Sequence, residues 1–192
     1  DLHLSLRRQR QMCIRDRQYM VHELITRLTD FAEKDFPVER VSSYLQSLPL
    51  NHKSLKKYIF FRKNFYTRNL IHREKDFEIL TICWPKQTNA PIHGHEGEKC
   101  WARVEDGKLQ IGNYKEESKS PLRISLVNDL SCSAGYLDGP ADIHAVRNIS
   151  DNFATSLHVY AKPYDACDIY DIGKGRIERK KLGYYSINGK IC

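Results

Sequence analysis

From about Phe65 to its end, the chain is a succession of short β-branched and aromatic runs broken by turn residues. No other feature constrains the fold as much, because runs of this length and spacing read as strands and leave no room between them for crossover helices. The strands are expected at 65–70, 77–84, 90–95, 100–105, 109–114, 122–127, 143–148, 153–160, 168–172 and 184–187. Asp106-Gly107 reads as a two-residue hairpin connection and Asp138-Gly139-Pro140 as a turn. Many short strands without intervening helices exclude a parallel βαβ sheet and predict a sandwich or a closed barrel.

Ahead of the strands the pattern is helical. Met20, Leu24, Leu28 and Phe31 share one face. Pro37 opens a second helix with Val38, Val41, Leu45 and Leu48 on one stripe, and Pro49 closes it. A third, shorter helix is expected over 52–60. The chain therefore reads as one mainly β domain over 18–192, a helical lobe at 18–62 followed by a β-barrel at 63–192. Residues 1–17 have no apolar period and hold five arginines against two aspartates. They are expected to be a basic extension, disordered or foreign to the domain.

Composition narrows the class further. Hydrophobic residues at 41% can fill a core, and charged residues at 29% are ordinary, so a disordered chain is excluded. No apolar run approaches the roughly 20 residues of a membrane-spanning helix. The six cysteines are scattered without a CxxC pair and no secretory pattern precedes them, so reduced thiols and a cytoplasmic setting are expected. The net charge of +7 invites nucleic acid, yet the basic residues at 1–17 and at 174–181 carry no zinc-finger, helix-turn-helix or aromatic-interleaved signature. The second cluster reads as a solvated hairpin and a basic tail. Neither nucleic acid nor a membrane is an expected partner, and a monomer acting on small molecules is.

Of the eight histidines, three are informatively placed. His93 and His95 stand two apart on a predicted strand and so project from one face, as two ligands of one metal must. His144 lies on a later strand that can cross beside the first and supply a third nitrogen. The bland reading, exposed polar rings paired by chance, stays open at this point, as does a carboxylate ligand from Glu96 or Glu98. His22, His52 and His72 lie on helical or loop segments and are expected at the surface.

The spacing His93-x-His95-x4-Cys100-x6-Gly107, followed by His144-x3-Asn148, resembles the two signature motifs of the cupin superfamily. Cys100 replaces the usual metal-binding glutamate, and Ala141 stands where many cupins have glycine. That cysteine is a mark of the cysteine dioxygenase family. Tyr66-Thr67-Arg68-Asn69-Leu70, the 77–84 strand, the 93–100 block and Ser156-Leu157-His158-Val159-Tyr160 resemble the same family in the same order, over roughly 18–172.

The resemblance implies a cupin-type β-barrel (jelly roll) with Fe(2+) held by His93, His95 and His144, oxidising L-cysteine to cysteine sulfinate with dioxygen. Three neutral imidazoles would leave the metal's charge uncompensated, which favours an incoming thiolate. By the same resemblance Arg68 clamps the substrate carboxylate with Tyr66 at that end, and Tyr160 aims its hydroxyl at oxygen or substrate. His158 and Ser156 order that hydroxyl, Trp84 forms pocket wall, and Cys100 and Tyr160 are the pair that can join in a thioether crosslink. Tyr160, Arg68, His158 and Cys100 form the expected catalytic set. One departure is Ala161-Lys162-Pro163 in place of the family's Ser-Pro-Pro with its cis bond, so that loop is expected to be reshaped. The alternatives are a dioxygenase for 3-mercaptopropionate or another small thiol, and a non-catalytic metal-binding cupin. Arg68 and Cys100 together favour cysteine.

Overall fold

The computed structural model describes residues 20–50 and 52–192. Helix α1 spans 20–32, α2 is Val38–Ser47, and the short α3, His52–Leu55, runs into a 3-10 turn at Lys56–Tyr58. The strands are β1 (Thr67–Arg73), β2 (Glu78–Trp84), β3 (Asn89–Gly94), β4 (Lys99–Asp106), β5 (Lys108–Lys119), β6 (Leu122–Ser133), β7 (Leu137–Ala141), β8 (Ile143–Asn148), β9 (Ala154–Ala161), β10 (Ala166–Asp171), β11 (Arg176–Lys181), β12 (Ser186–Ile187) and β13 (Lys190–Ile191). They form a seven-stranded sheet ordered β13-β12-β1-β2-β9-β4-β7 and a six-stranded sheet ordered β11-β10-β3-β8-β5-β6. The two ladders do not join into a closed barrel. The expected jelly roll is thus a sandwich of two sheets. No helix of the described residues is long and apolar enough to cross a membrane.

The seven-stranded sheet is covered on both faces, which is why β2 and β9 are buried along their whole length. On its outer face Leu24, Leu28, Val41, Leu45 and Leu55 of the helices pack against Ile79, Trp101, Leu157 and Val159. The lobe is also pinned by polar groups. Arg103 on β4 donates to the carbonyls of Leu45, Leu48 and Leu50 at 2.5, 2.7 and 3.2 Å and pairs with Glu105 at 2.6 Å. These carbonyls end α2 without helical partners, and a buried guanidinium satisfies them. Because β9 alternates, Leu157, Val159 and Ala161 face the helices, which turns Ser156, His158 and Tyr160 inward. Polar residues thus line the interior at every second position of β9.

Several expectations need correction. Asp106-Gly107 makes a tight turn, with Gly107 at φ +78°, but it closes no hairpin: β4 pairs with β7 and β9, while β5 pairs with β6 and β8 in the other sheet. Asp138-Gly139-Pro140 lies within β7, which pairs with β4. Gly139, at φ +118°, passes so close to β4 that a Cβ there would overlap the Cys100 carbonyl, so glycine serves the approach of two strands and ends neither. Val38 is exposed although it shares the stripe of Val41 and Leu45, and His72 sits on β1. The solvated hairpin expected for the basic residues is present: 176–181 form the exposed strand β11, paired with β10. The expectation for residues 1–17 lies outside the described residues.

Candidate metal centre

His93 and His144 are directly opposed on the antiparallel pair β3–β8, after an irregularity between Ala90 and His93. His95 lies one residue beyond β3, in a turn where Glu98 N–H donates to the His95 carbonyl at 2.9 Å. Asp142 holds this turn through the backbone N–H groups of His95 and Gly97, at 3.4 and 3.3 Å. The three rings close on one another, with centroids 5.1, 4.7 and 4.5 Å apart, and one ligand atom from each lies within 4.8 Å of the others.

The donor set fits a divalent transition metal. His93 Nδ1–H donates to the Pro91 carbonyl at 2.8 Å and His95 Nδ1–H to the Ala141 carbonyl at 3.1 Å, which leaves the Nε2 lone pair of each ring unused. His95 Nε2 is buried with no partner, as is one nitrogen of His144, Nδ1. Burial, and then the neighbouring imidazoles, hold His95 and His144 well below the usual histidine range; His93 is pushed down to about 4, chiefly by burial. All three rings are therefore neutral at physiological pH and available as ligands. No carboxylate joins the group among the described residues. Glu96 is exposed and bound to Arg179, with Nη2 to Oε2 at 2.8 Å.

Beside the histidines runs a buried hydrogen-bonded chain. Trp84 Nε1–H donates to Ser156 Oγ at 2.9 Å, Ser156 Oγ meets His158 Nε2 at 2.8 Å, and His158 Nδ1 meets the Tyr160 hydroxyl at 3.2 Å. Indole can only donate, so Ser156 Oγ accepts from it; the hydroxyl keeps its own proton and a second lone pair, so the direction of the Ser156–His158–Tyr160 links follows the tautomer of neutral His158. In the tautomer protonated on Nδ1 that proton is directed at the Tyr160 oxygen, and the Tyr160 proton is free to donate elsewhere. Burial, with His93 and Arg68 adding to it, holds His158 down to about 3.

A pH consequence follows from this shift. The unfolded chain protonates this ring near 6.5, whereas the folded protein resists down to about 3. The associated stability is fully present above pH 6.5 and is lost as pH falls toward 3. Between pH 7.5 and 5 it amounts to about 2 kcal/mol. In urea unfolding of metal-free protein, wild type should lose about that much more stability than His158→Gln over this interval; equal losses would contradict a buried neutral His158.

Arg68 on β1 is 9% exposed and lines the same pocket as Tyr66, Trp84, His93, His144, His158 and Tyr160. Cys100 stands directly opposite Tyr160 on the β4–β9 pair, both side chains buried. Directly opposed side chains are neighbours on one face of a sheet, and burial pushes the Cys100 thiol well up. No cis bond occurs in the 161–163 loop; among the described residues cis bonds precede only Pro121 and Pro140. Lys162 is exposed, and Tyr164, two residues on, turns inward to meet the Tyr160 ring edge-on at 5.0 Å. Tyr164, Cys167 and Lys180 also line the pocket and were not singled out from sequence. Nor was Glu78, fully buried behind Arg68, although a lone carboxylate opening an apolar strand is a legible signal.

The sequence model of the cysteine dioxygenase type I family matches residues 13–173, beginning inside the basic segment. The chain belongs to that family. It is 25% identical over 179 residues to cysteine dioxygenase type 1 of Danio rerio, covering 88% of each chain. To the Rattus norvegicus enzyme of the same name it is 26% identical over 172 residues, 87% of this chain and 83% of that one. A solved cupin superfamily protein from Desulfitobacterium hafniense is 12% identical, with a TM-score of 0.42 over 55% of this chain and 84% of that one. Family membership implies a metal cofactor, and the three-histidine group offers its ligands.

Proposed function

We propose that the protein oxidises the thiol of L-cysteine with dioxygen to cysteine sulfinate, both oxygen atoms entering the product. The observation that carries this reading is one pocket lined by two of the three neutral histidines, by Arg68 and by Tyr160. His93, His95 and His144 would hold iron(II), which when bound supplies the one-electron chemistry that lets dioxygen react with a thiolate.

The protein's own groups do the rest. Three uncharged donors would leave the charge of a bound metal uncompensated, which favours the thiolate form of the substrate. Arg68 offers paired, permanently charged N–H donors to the substrate carboxylate, and Tyr66 flanks it. Tyr160 presents its hydroxyl proton to the reacting atoms, accepting from His158 in its Nδ1-protonated tautomer, with Ser156 and Trp84 completing that chain. Cys100 and Tyr160, opposed and buried, would join in a thioether that restrains the tyrosine ring, the thiol S–H and one ring C–H being lost as dioxygen takes up the two electrons and two protons. Free cysteines at five described positions suit a reducing compartment, and the proposed setting is the cytoplasm.

The test is anaerobic loading with iron(II), then oxygen uptake and product mass with L-cysteine and 3-mercaptopropionate in parallel. L-Cysteine should gain two oxygen atoms with little reaction of the other thiol. Preference for 3-mercaptopropionate would overturn the substrate, and no uptake by iron-loaded protein would overturn the activity.

A further inference from the structure

Glu78 is 0% exposed and opens β2, a strand buried at every position. An ionised carboxylate in such a place must be compensated. Its partners come from three parts of the chain. Arg68 Nη2 approaches Oε1 at 3.5 Å, the Tyr184 hydroxyl donates to Oε2, and Arg73 Nη1 lies 3.7 Å from Oε2. Arg73 in turn donates to Tyr184 and to Asp165, each at 2.7 Å. The Tyr184 ring carries the Arg68 guanidinium at 5.4 Å from its centroid.

Arg68 thus meets a carboxylate through one nitrogen, Nη2, and an aromatic ring across one face. A guanidinium is a rigid planar fork, so an anchor at one nitrogen together with a ring against its face directs where its remaining N–H groups point. Those groups belong to a side chain that lines the pocket with His93 and Tyr160. At 3.5 Å the Glu78 contact is too long to saturate Arg68: it aims the fork and leaves donors for another anion. Two guanidinium groups, Arg68 and Arg73, face two carboxylates, Glu78 and Asp165, so the cluster is balanced before substrate enters.

The support comes from the C-terminal segment. Tyr185 N–H donates to the Arg68 carbonyl at 2.7 Å, and β12 runs parallel to β1 with Ser186 opposite Asn69. Tyr184 therefore lies under Arg68 because the residues that follow it, Tyr185 and Ser186, are paired to Arg68 and Asn69. This segment falls beyond residue 173, where the family match ends.

We propose that Glu78 and Tyr184 are positioning residues that aim Arg68 and so make the pocket selective for thiols bearing a carboxylate. The proposal deepens the thiol dioxygenase reading and rests on it. A merely structural Glu78 would weaken binding of every thiol alike; a positioning role discriminates between thiols with and without a carboxylate.

The experiment measures anaerobic binding of L-cysteine and of 2-aminoethanethiol, which lacks the carboxylate, to iron-loaded wild type, Glu78→Gln and Tyr184→Phe by calorimetry, with iron content and oxygen uptake read alongside. Glu78→Gln should weaken L-cysteine at least tenfold, raise its KM correspondingly and change kcat less than threefold, while the affinity for 2-aminoethanethiol stays within twofold. Tyr184→Phe should shift L-cysteine in the same direction by a smaller factor, and it carries the test if Glu78→Gln does not fold. Equal weakening of the two thiols, or an unchanged L-cysteine affinity in both variants, would overturn the proposal. If wild type binds L-cysteine without oxygen uptake while the selective loss persists, positioning stands and the dioxygenase reading falls.

Discussion

His93→Ala protein, loaded anaerobically with iron(II) and desalted, is expected to retain less than a tenth of the wild-type metal and to show no oxygen uptake with L-cysteine. The His93 side chain brings one of three nitrogens to a group whose ligand atoms lie within 4.8 Å of one another, and no carboxylate stands by to replace it among the described residues. Loss of a group that merely orients a ligand costs about 10–100-fold in metal affinity, so loss of a ligand itself should cost at least the upper end of that range. The change should be local. His93 is only partly buried, and its Nδ1 bond goes to Pro91, two residues away on its own strand. Metal-free variant and wild type should therefore melt within a few degrees of each other. A folded variant that still holds one iron per chain would remove His93 from the ligand set.

A strand over 153–160 was legible in the sequence, while Ser156, His158 and Tyr160 were singled out through the family resemblance; His93 and His95 were read from strand period, although β3 ends at Gly94 and a turn brings His95 to the group. Strand β7 was not legible. Gly139 and Pro140 carry the composition of a turn, and only the proximity of the Cys100 carbonyl explains why a strand needs glycine there. The β4–β5 connection misled for a related reason: a two-residue turn looks the same in sequence whether its strands pair or part into separate sheets. Residues 176–181 read as a solvated hairpin and tail because β11 is an edge strand, exposed along most of its length, with no apolar alternation to betray it. The surroundings of Arg68 were the least legible part. Glu78 and Tyr184 are 106 residues apart, and no local pattern reports that a parallel pairing of β12 with β1 brings them together.

Arg68→Ala should retain iron yet raise the KM for L-cysteine about 100-fold or more. Removing one member of a buried, charge-assisted pair with the substrate carboxylate costs about 2–5 kcal/mol, and each 1.4 kcal/mol is tenfold. The difficulty is that Arg68 has a second role: it faces Glu78, and deleting it leaves that buried carboxylate to Tyr184 and Arg73 alone. The single variant should therefore lose stability as well as affinity. Arg68→Ala combined with Glu78→Gln separates the two, because the uncompensated charge is gone while the clamp is still missing. The double variant should recover much of the lost Tm and none of the lost L-cysteine affinity. If affinity returns together with Tm, Arg68 acts on the substrate only through the integrity of the fold and is not its clamp.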